Sequence, residues 1–207
     1  EALKSLTSGA NNIAIGWGAG ETTTAMTDAA QCITIGTSAK TSASGSSYQT
    51  VIGYNVTGNA DNSFCFGLNT TDSAIAAGAT SITAPSDERY KEEIQDATAG
   101  LSFINDLRPV TFKWKKEKDV PSDHRAYVEG SETRVMLSQG ETNHGFIAQE
   151  VKTAIDAHSE IQDGFDMWSE DDADGRQRLG EGALIPILVK AIQEQQTLIE
   201  SLTAPIK

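Results

Sequence analysis

Ser86 and Lys91 stand five residues apart in the stretch Ser86-Asp87-Glu88-Arg89-Tyr90-Lys91. A serine hydroxyl is a weak nucleophile at neutral pH and needs a base within hydrogen-bond reach. The three histidines, His124, His144 and His158, share no triad context with a serine, and there is no Gly-x-Ser-x-Gly elbow. A lysine is another group that can act as a base. A lysine serves only when neutral, so its pKa must fall from about 10.4 toward about 7–8 by burial. Arg89 would help by like-charge repulsion, and Asp87 could orient Lys91 or Arg89. The competing reading is that Ser86 caps the next turn and Lys91 is a solvated charge. On the hexapeptide alone that plainer reading is the stronger.

The hexapeptide lies where the chain changes character. Before it runs a Gly-, Ser-, Thr-, Ala- and Asn-rich region in which two lysines face five carboxylates. After it the chain is charged, with helical periodicity. The net charge of −13 disfavours phosphate backbones and anionic lipid, so neither nucleic acid nor a membrane surface is an expected partner. No apolar run approaches the roughly 20 residues of a membrane-spanning helix. Cys32 and Cys65 make no disulfide framework and read as buried thiols in strands. Glu1 in place of an initiator Met reads as a fragment.

The stretch also opens a longer pattern. Ser86-Asp87-x-Arg89-x-Lys91-x-x-Ile94 is followed by Leu107-Arg108-Pro109-Val110-x-Phe112-x-Trp114-Lys115. Gly145-Phe146-Ile147-Ala148-Gln149-Glu150-Val151 comes third. These three blocks, in this order, resemble the self-cleaving C-terminal intramolecular chaperone domain of phage endosialidases, tailspikes, tail fibres and neck appendages. The resemblance covers residues 86 to about 202. It implies a Ser86 nucleophile just after the scissile bond, with Lys91 as its base, and so a self-cleaving serine endopeptidase. Cleavage would fall at Pro85-Ser86. Asp87, Arg89, Gln149 and Glu150 are possible supporting residues. The resemblance also implies a homotrimer. No metal and no cofactor is expected. A proline before the serine departs from an unhindered site and would slow cleavage.

In residues 1–85 one short unit recurs: Asn12-Ile13-Ala14-Ile15-Gly16, Cys32-Ile33-Thr34-Ile35-Gly36, Thr50-Val51-Ile52-Gly53 and Phe64-Cys65-Phe66-Gly67. Each alternates an apolar with a small residue, as a strand does, and stops at a glycine. Such short strands cannot bury a face alone, so burial must come from stacked units or from neighbouring chains. The uneven spacing of the glycines argues against a strict solenoid. The units look like the Asn-x-x-Ala-Ile-Gly repeats of trimeric adhesin heads and phage fibre shafts. Thr22-Thr23-Thr24 and 42–47 read as loops. Residues 68–85 read as a joint, with small residues at 74–79 and an extended 81–85.

Beyond Ser86, Lys91-Glu92-Glu93-Ile94 reads as a short strand or turn. Residues 97–107 read as a helix with Leu101, Ile104 and Leu107 on one face, and 110–115 as a strand with Val110, Phe112 and Trp114 on one side. In the polar excursion 116–143, Tyr127-Val128 and Arg134-Val135-Met136-Leu137 are expected to pair. A strand resumes at His144, and 148–155 is helical. The acidic run 163–174 tempts a calcium reading, but no frame fits an EF-hand loop, so a solvated loop is expected. From Gly182 the chain is helical to about Leu202. Ile185, Leu188, Ile192, Gln195, Ile199 and Leu202 form a heptad seam. Ile at a with Leu at d leans toward two strands, whereas the resemblance implies three.

The fold class expected is α+β. Residues 1–85 would be a β-repeat shaft, a trimeric β-helix or β-roll, and 86–207 a mixed α/β chaperone and autoprotease domain ending in a long helix. The expected setting is the virion, as a tail fibre or spike. The chaperone would act on its own upstream segment in the host cytoplasm during assembly, and a host cell-surface receptor is a possible partner of the mature fibre. A non-catalytic trimeric adhesin head with a helical stalk is the alternative. A transcription-factor precursor using the same domain would need a basic DNA-binding region upstream, which 1–85 is not.

Overall fold

The computed structural model describes residues 1–21, 25–136 and 140–203. The loop expected at Thr22-Thr23-Thr24 and the pairing expected of Leu137 lie outside them. The chain divides into two compact units, Glu1–Ile94 and Gln95–Lys207. Strands fill the first and helices dominate the second, with the longest helix at the C-terminal end.

The first unit holds one five-stranded sheet in chain order: β1 (Ile13–Ile15), β2 (Ile33–Ile35), β3 (Gln49–Tyr54), β4 (Ser63–Leu68) and β5 (Thr71–Ala76). The first four strands pair in parallel, and β5 turns back antiparallel on β4. The register aligns the recurring sequence units. Ala14, Thr34, Val51 and Cys65 share one row, flanked by the rows Ile13-Ile33-Thr50-Phe64 and Ile15-Ile35-Ile52-Phe66. The same backbone geometry returns at matching places. Asn11, Gln31, Tyr48 and Asn62, each two residues before the row Ile13-Ile33-Thr50-Phe64, hold φ near +57°, and Gly16, Gly36, Gly53 and Gly67 recur at positive φ just after β1 and β2 and one residue before the ends of β3 and β4. Those glycines stack. A Cβ on Gly36 would meet the carbonyl oxygen of Gly53, and one on Gly53 that of Gly67. Only glycine permits so close an approach at that dihedral.

The alternation runs small-inward and large-outward. Thr34, Val51, Cys65 and Ala74 are buried, while Ile13, Ile15, Ile52 and Phe64 are exposed. The interior is therefore thin, as two small clusters around Val51 and Met26. Burial pushes the Cys65 thiol up to about 11 and raises Cys32 too, so both are inert neutral thiols.

The joint expected at 68–85 is instead partly β5. The pairing of Leu68 with Thr71 leaves Asn69-Thr70 as a two-residue tip, with Asn69 at φ 54°. Asparagine is among the few side chains that accept this region readily. A turn at 77–78 follows β5, and within the stretch expected to be extended at 81–85 Thr83 bridges back to Ala74.

The second unit is built on α1 (Leu101–Asp106), α2 (Ala148–Ala157) and α3 (Leu184–Thr203), with two short antiparallel ribbons. These are β6 (Val110–Phe112) with β7 (Asn143–Gly145), and β8 (Trp168–Glu170) with β9 (Gln177–Leu179). Phe103, Val151, Ile155, Met167, Leu184 and Ile187 form its core. The helix expected over 97–107 is shorter because Gly100 leaves the helical region. Glycine is a poor helix residue, and α1 begins just after it. The Leu101 amide donates to the Glu194 carboxylate of α3 at 2.8 Å, an N-terminal cap supplied by another helix. The alternation at 110–115 holds, with Val110, Phe112 and Trp114 part-buried and the Phe112 and Trp114 rings near-perpendicular, although the pairing with β7 covers Val110–Phe112 alone.

Two expectations are corrected here. Tyr127-Val128 and Arg134-Val135 do not form a hairpin together. Both pack against the strand's continuation instead: Arg134 bridges Lys116, the Val135 amide donates to Lys115, and the Val128 amide to Glu117. Nor is the acidic run wholly solvated. Its second half is the β8–β9 hairpin, where Asp171 meets Arg125, Arg176 and Arg178 and Asp174 faces Arg125. The Arg178 and Arg176 guanidiniums hold the Asp171 carboxyl well below the usual carboxylate range. Among the described residues no group of His, Cys, Asp or Glu is arranged to hold a metal ion.

His158 ends α2. Its ring nitrogens contact Asp106 at 2.8 Å and Glu160 at 3.0 Å, and its ring stands near-perpendicular to Phe103 with centroids 5.4 Å apart. Those two carboxylates, Asp106 first, raise its pKa. The charged form is therefore favoured by folding. Its stabilisation is complete below the unfolded value of about 6.5 and is lost as pH rises through the higher folded value. The melting temperature of the second unit should fall as pH rises above about 6.5, and His158→Gln should flatten that slope. An unchanged slope in the variant would remove His158 as its source.

Candidate functional site

Ser86, Asp87, Arg89 and Lys91 all belong to the first unit, and the structure brings them together. Asp87 caps a single 3-10 turn, Glu88–Tyr90, its carboxylate accepting the Arg89 amide at 2.9 Å. The Tyr90 and Lys91 amides donate to the Asp87 and Glu88 carbonyls at 3.1 and 3.0 Å. This turn doubles the chain back on itself, and Lys91 Nζ donates to Ser86 Oγ at 2.7 Å. On loss of a proton the same contact reverses, with the hydroxyl donating to the amine. Arg89 faces Asp87 through two guanidinium nitrogens, Nε and Nη2, so its charge is committed there rather than aimed at Lys91. That pairing holds the Asp87 carboxyl below its usual range.

The serine and lysine are both exposed. The hydroxyl and the amine are in contact, and both are open to water.

On the other side of Ser86, Ala84 and Pro85 border a shallow groove of about 390 Å³ with Phe66, Thr71, Asp72 and Ser73. Thr83 is tied to Ala74 by two main-chain hydrogen bonds of 2.7 and 2.8 Å. Sequence reasoning missed this anchor. Its only visible signal was the β-branched pair Ile82-Thr83 before a proline.

Gln149 and Glu150 lie in the first turn of α2, in the second unit. There Glu150 takes a forked ion pair from Arg108, through both Nε and Nη2. The two downstream sequence blocks are thus joined to each other, as β6–β7 pairing also joins them.

Residues 86–160 match the family model described as chaperone of endosialidase. No curated protein and no solved structure matches the chain. The chaperone match begins at Ser86 itself. It takes in the 3-10 turn, the Arg108–Glu150 pair and α2, and it ends before β8, β9 and α3. It supports the resemblance carried by the three sequence blocks, and with it a chaperone role in a phage assembly setting. Among the described residues no helix is long and apolar enough to cross a membrane.

Proposed function

We propose that residues 86–207 are an intramolecular chaperone that associates as a homotrimer, aligns the β-structured segment before it, and then releases itself at Pro85-Ser86. The observation that carries this is the 2.7 Å contact between Lys91 Nζ and Ser86 Oγ at the first residue of the chaperone match.

Chemically, neutral Lys91 takes the Ser86 hydroxyl proton as Oγ attacks the Pro85 carbonyl carbon. The bond from that carbon to the Ser86 nitrogen breaks, and Lys91 returns the proton to the leaving amine. The product is an ester between Pro85 and Ser86 Oγ. Water hydrolyses it to the Pro85 carboxylate and the free Ser86 hydroxyl. Desolvation of Lys91 by subunit association would switch this on.

The homotrimer is supported by the unpartnered apolar faces of each unit. Residues 1–85 then form a shaft of stacked strands, a β-roll or β-helix, whose large side chains meet those of other subunits. Register between three chains is a slow, non-local problem. A domain that trimerises first raises the effective concentration of the strands. Cleavage then leaves a kinetically trapped fibre for the virion, free to engage a host-surface receptor. An adhesin head would account for the apolar faces but gives no role to the Ser86–Lys91 contact.

The test is the mass of freshly folded full-length chain. Two pieces, 1–85 and 86–207, are expected. A single species of the formula mass after trimerisation would overturn the reading.

A further inference from the structure

The geometry points to the upstream sheet as the element that presents the scissile bond, with Thr83 as its positioning residue. This rests on the reading of Ser86 as nucleophile. The sheet ends at β5, and its free edge is taken by the chain that leads to Ser86. The Thr83 amide donates to the Ala74 carbonyl at 2.7 Å, and the Ala74 amide donates to the Thr83 carbonyl at 2.8 Å. Thr83 Oγ1 adds a third contact to the Ala74 carbonyl at 3.0 Å. Ala74 is buried in the cluster of Ala39, Val51, Val56 and Cys65, so the anchor is fixed to the interior of the unit.

Three residues of extended chain span about 10 Å at most, so Ser86 is tethered close to that anchor. Few torsions are free between them. Proline fixes its own φ near −65°. It also holds the preceding Ala84 extended. On the far side, the Asp87-capped turn returns Lys91 to Ser86. The scissile peptide is thus gripped from both directions: the acyl side by a sheet edge, the nucleophile and base by a turn. The groove beside Ala84 and Pro85 is walled by β4 and β5 residues, Phe66, Asp72 and Ser73 among them. A chain in which β5 has not yet folded back on β4 offers neither the anchor nor the groove.

The experiment compares self-cleavage rates of the full chain with Thr83→Pro and Thr83→Val. Proline removes the donated amide. Valine keeps both main-chain bonds and the β preference. Misplacing a reacting group by an ångström costs on the order of 100-fold, the loss expected with proline. Valine loses only the Oγ1 contact to Ala74, so a partial loss of no more than about tenfold, well short of that with proline, is expected. Rescue by valine separates positioning from general destabilisation. Should the proline variant fold poorly, amide exchange at Thr83 in the Ser86→Ala chain decides: protection is expected, and free exchange overturns the proposal. Normal cleavage with Thr83→Pro overturns it as well, leaving Ser86 untouched. No cleavage in the unaltered chain would instead remove the reading of Ser86 on which this one stands.

Discussion

Lys91→Arg should leave the chain whole. The guanidinium stays charged at any accessible pH, so it cannot take the Ser86 proton, although it can still donate a hydrogen bond to Oγ. The substitution keeps charge and approximate reach while removing basicity, which separates chemistry from structure. The turn itself should survive, because it is held by the Asp87 cap and by main-chain bonds rather than by Lys91. Ser86→Ala removes the nucleophile outright and should give the same uncut chain. In serine proteases, loss of the nucleophile or its base costs on the order of 10⁶-fold, enough to abolish processing on any practical time scale. Mass spectrometry of the folded variants reads the result. A fragment beginning at residue 86 in the alanine variant would dismiss Ser86 as nucleophile, and ordinary processing with Lys91→Arg would dismiss Lys91 as base.

The parts of the fold that were legible in the sequence are those set by local rules. The four Gly-closed units announce β1 to β4 because strand alternation and a positive-φ corner both leave a residue-level mark. The Ser86–Lys91 contact follows from a spacing that one capped turn can close. Long-range partners leave no such mark. Nothing near Asp171 says that Arg125, 46 residues away, will reach it. Nothing near Leu101 says that Glu194 will cap its helix. The turn-back of β5 was hidden by its small residues and the absence of a closing glycine, and with it the anchoring of Thr83. Arg89 was expected to press on Lys91 by repulsion, but its neighbour Asp87 engages it first. The C-terminal helix was ambiguous because a heptad seam and an ordinary amphipathic stripe differ only in what covers them.

The structure separates those two stripes, and this makes the seam testable on its own. Leu184, Ile187 and Ala191 are buried against the helix's own unit, while Ile185, Leu188, Ile192, Ile199 and Leu202 are exposed. Ile192 and Ile199 are 63% and 55% exposed. Fully burying one isoleucine contributes roughly 1.5–3 kcal/mol, so burying this stripe against other chains would be a substantial drive to associate. Changing Ile192 and Ile199 together to Asp leaves the inner stripe intact. The second unit should therefore fold, and its helical signal should stay close to that of the unaltered chain. Association should not survive, since each carboxylate would have to be buried unpaired. If Lys91 loses its solvation only when subunits meet, the monomeric variant should also stay uncut, even though Ser86 and Lys91 remain in contact within each chain. Size exclusion and a denaturing gel on the same sample read both outcomes. A trimer that persists with both aspartates would place the interface elsewhere. Efficient cleavage by a monomer would mean that the turn between Ser86 and Lys91 is sufficient by itself, and that assembly does not gate the release.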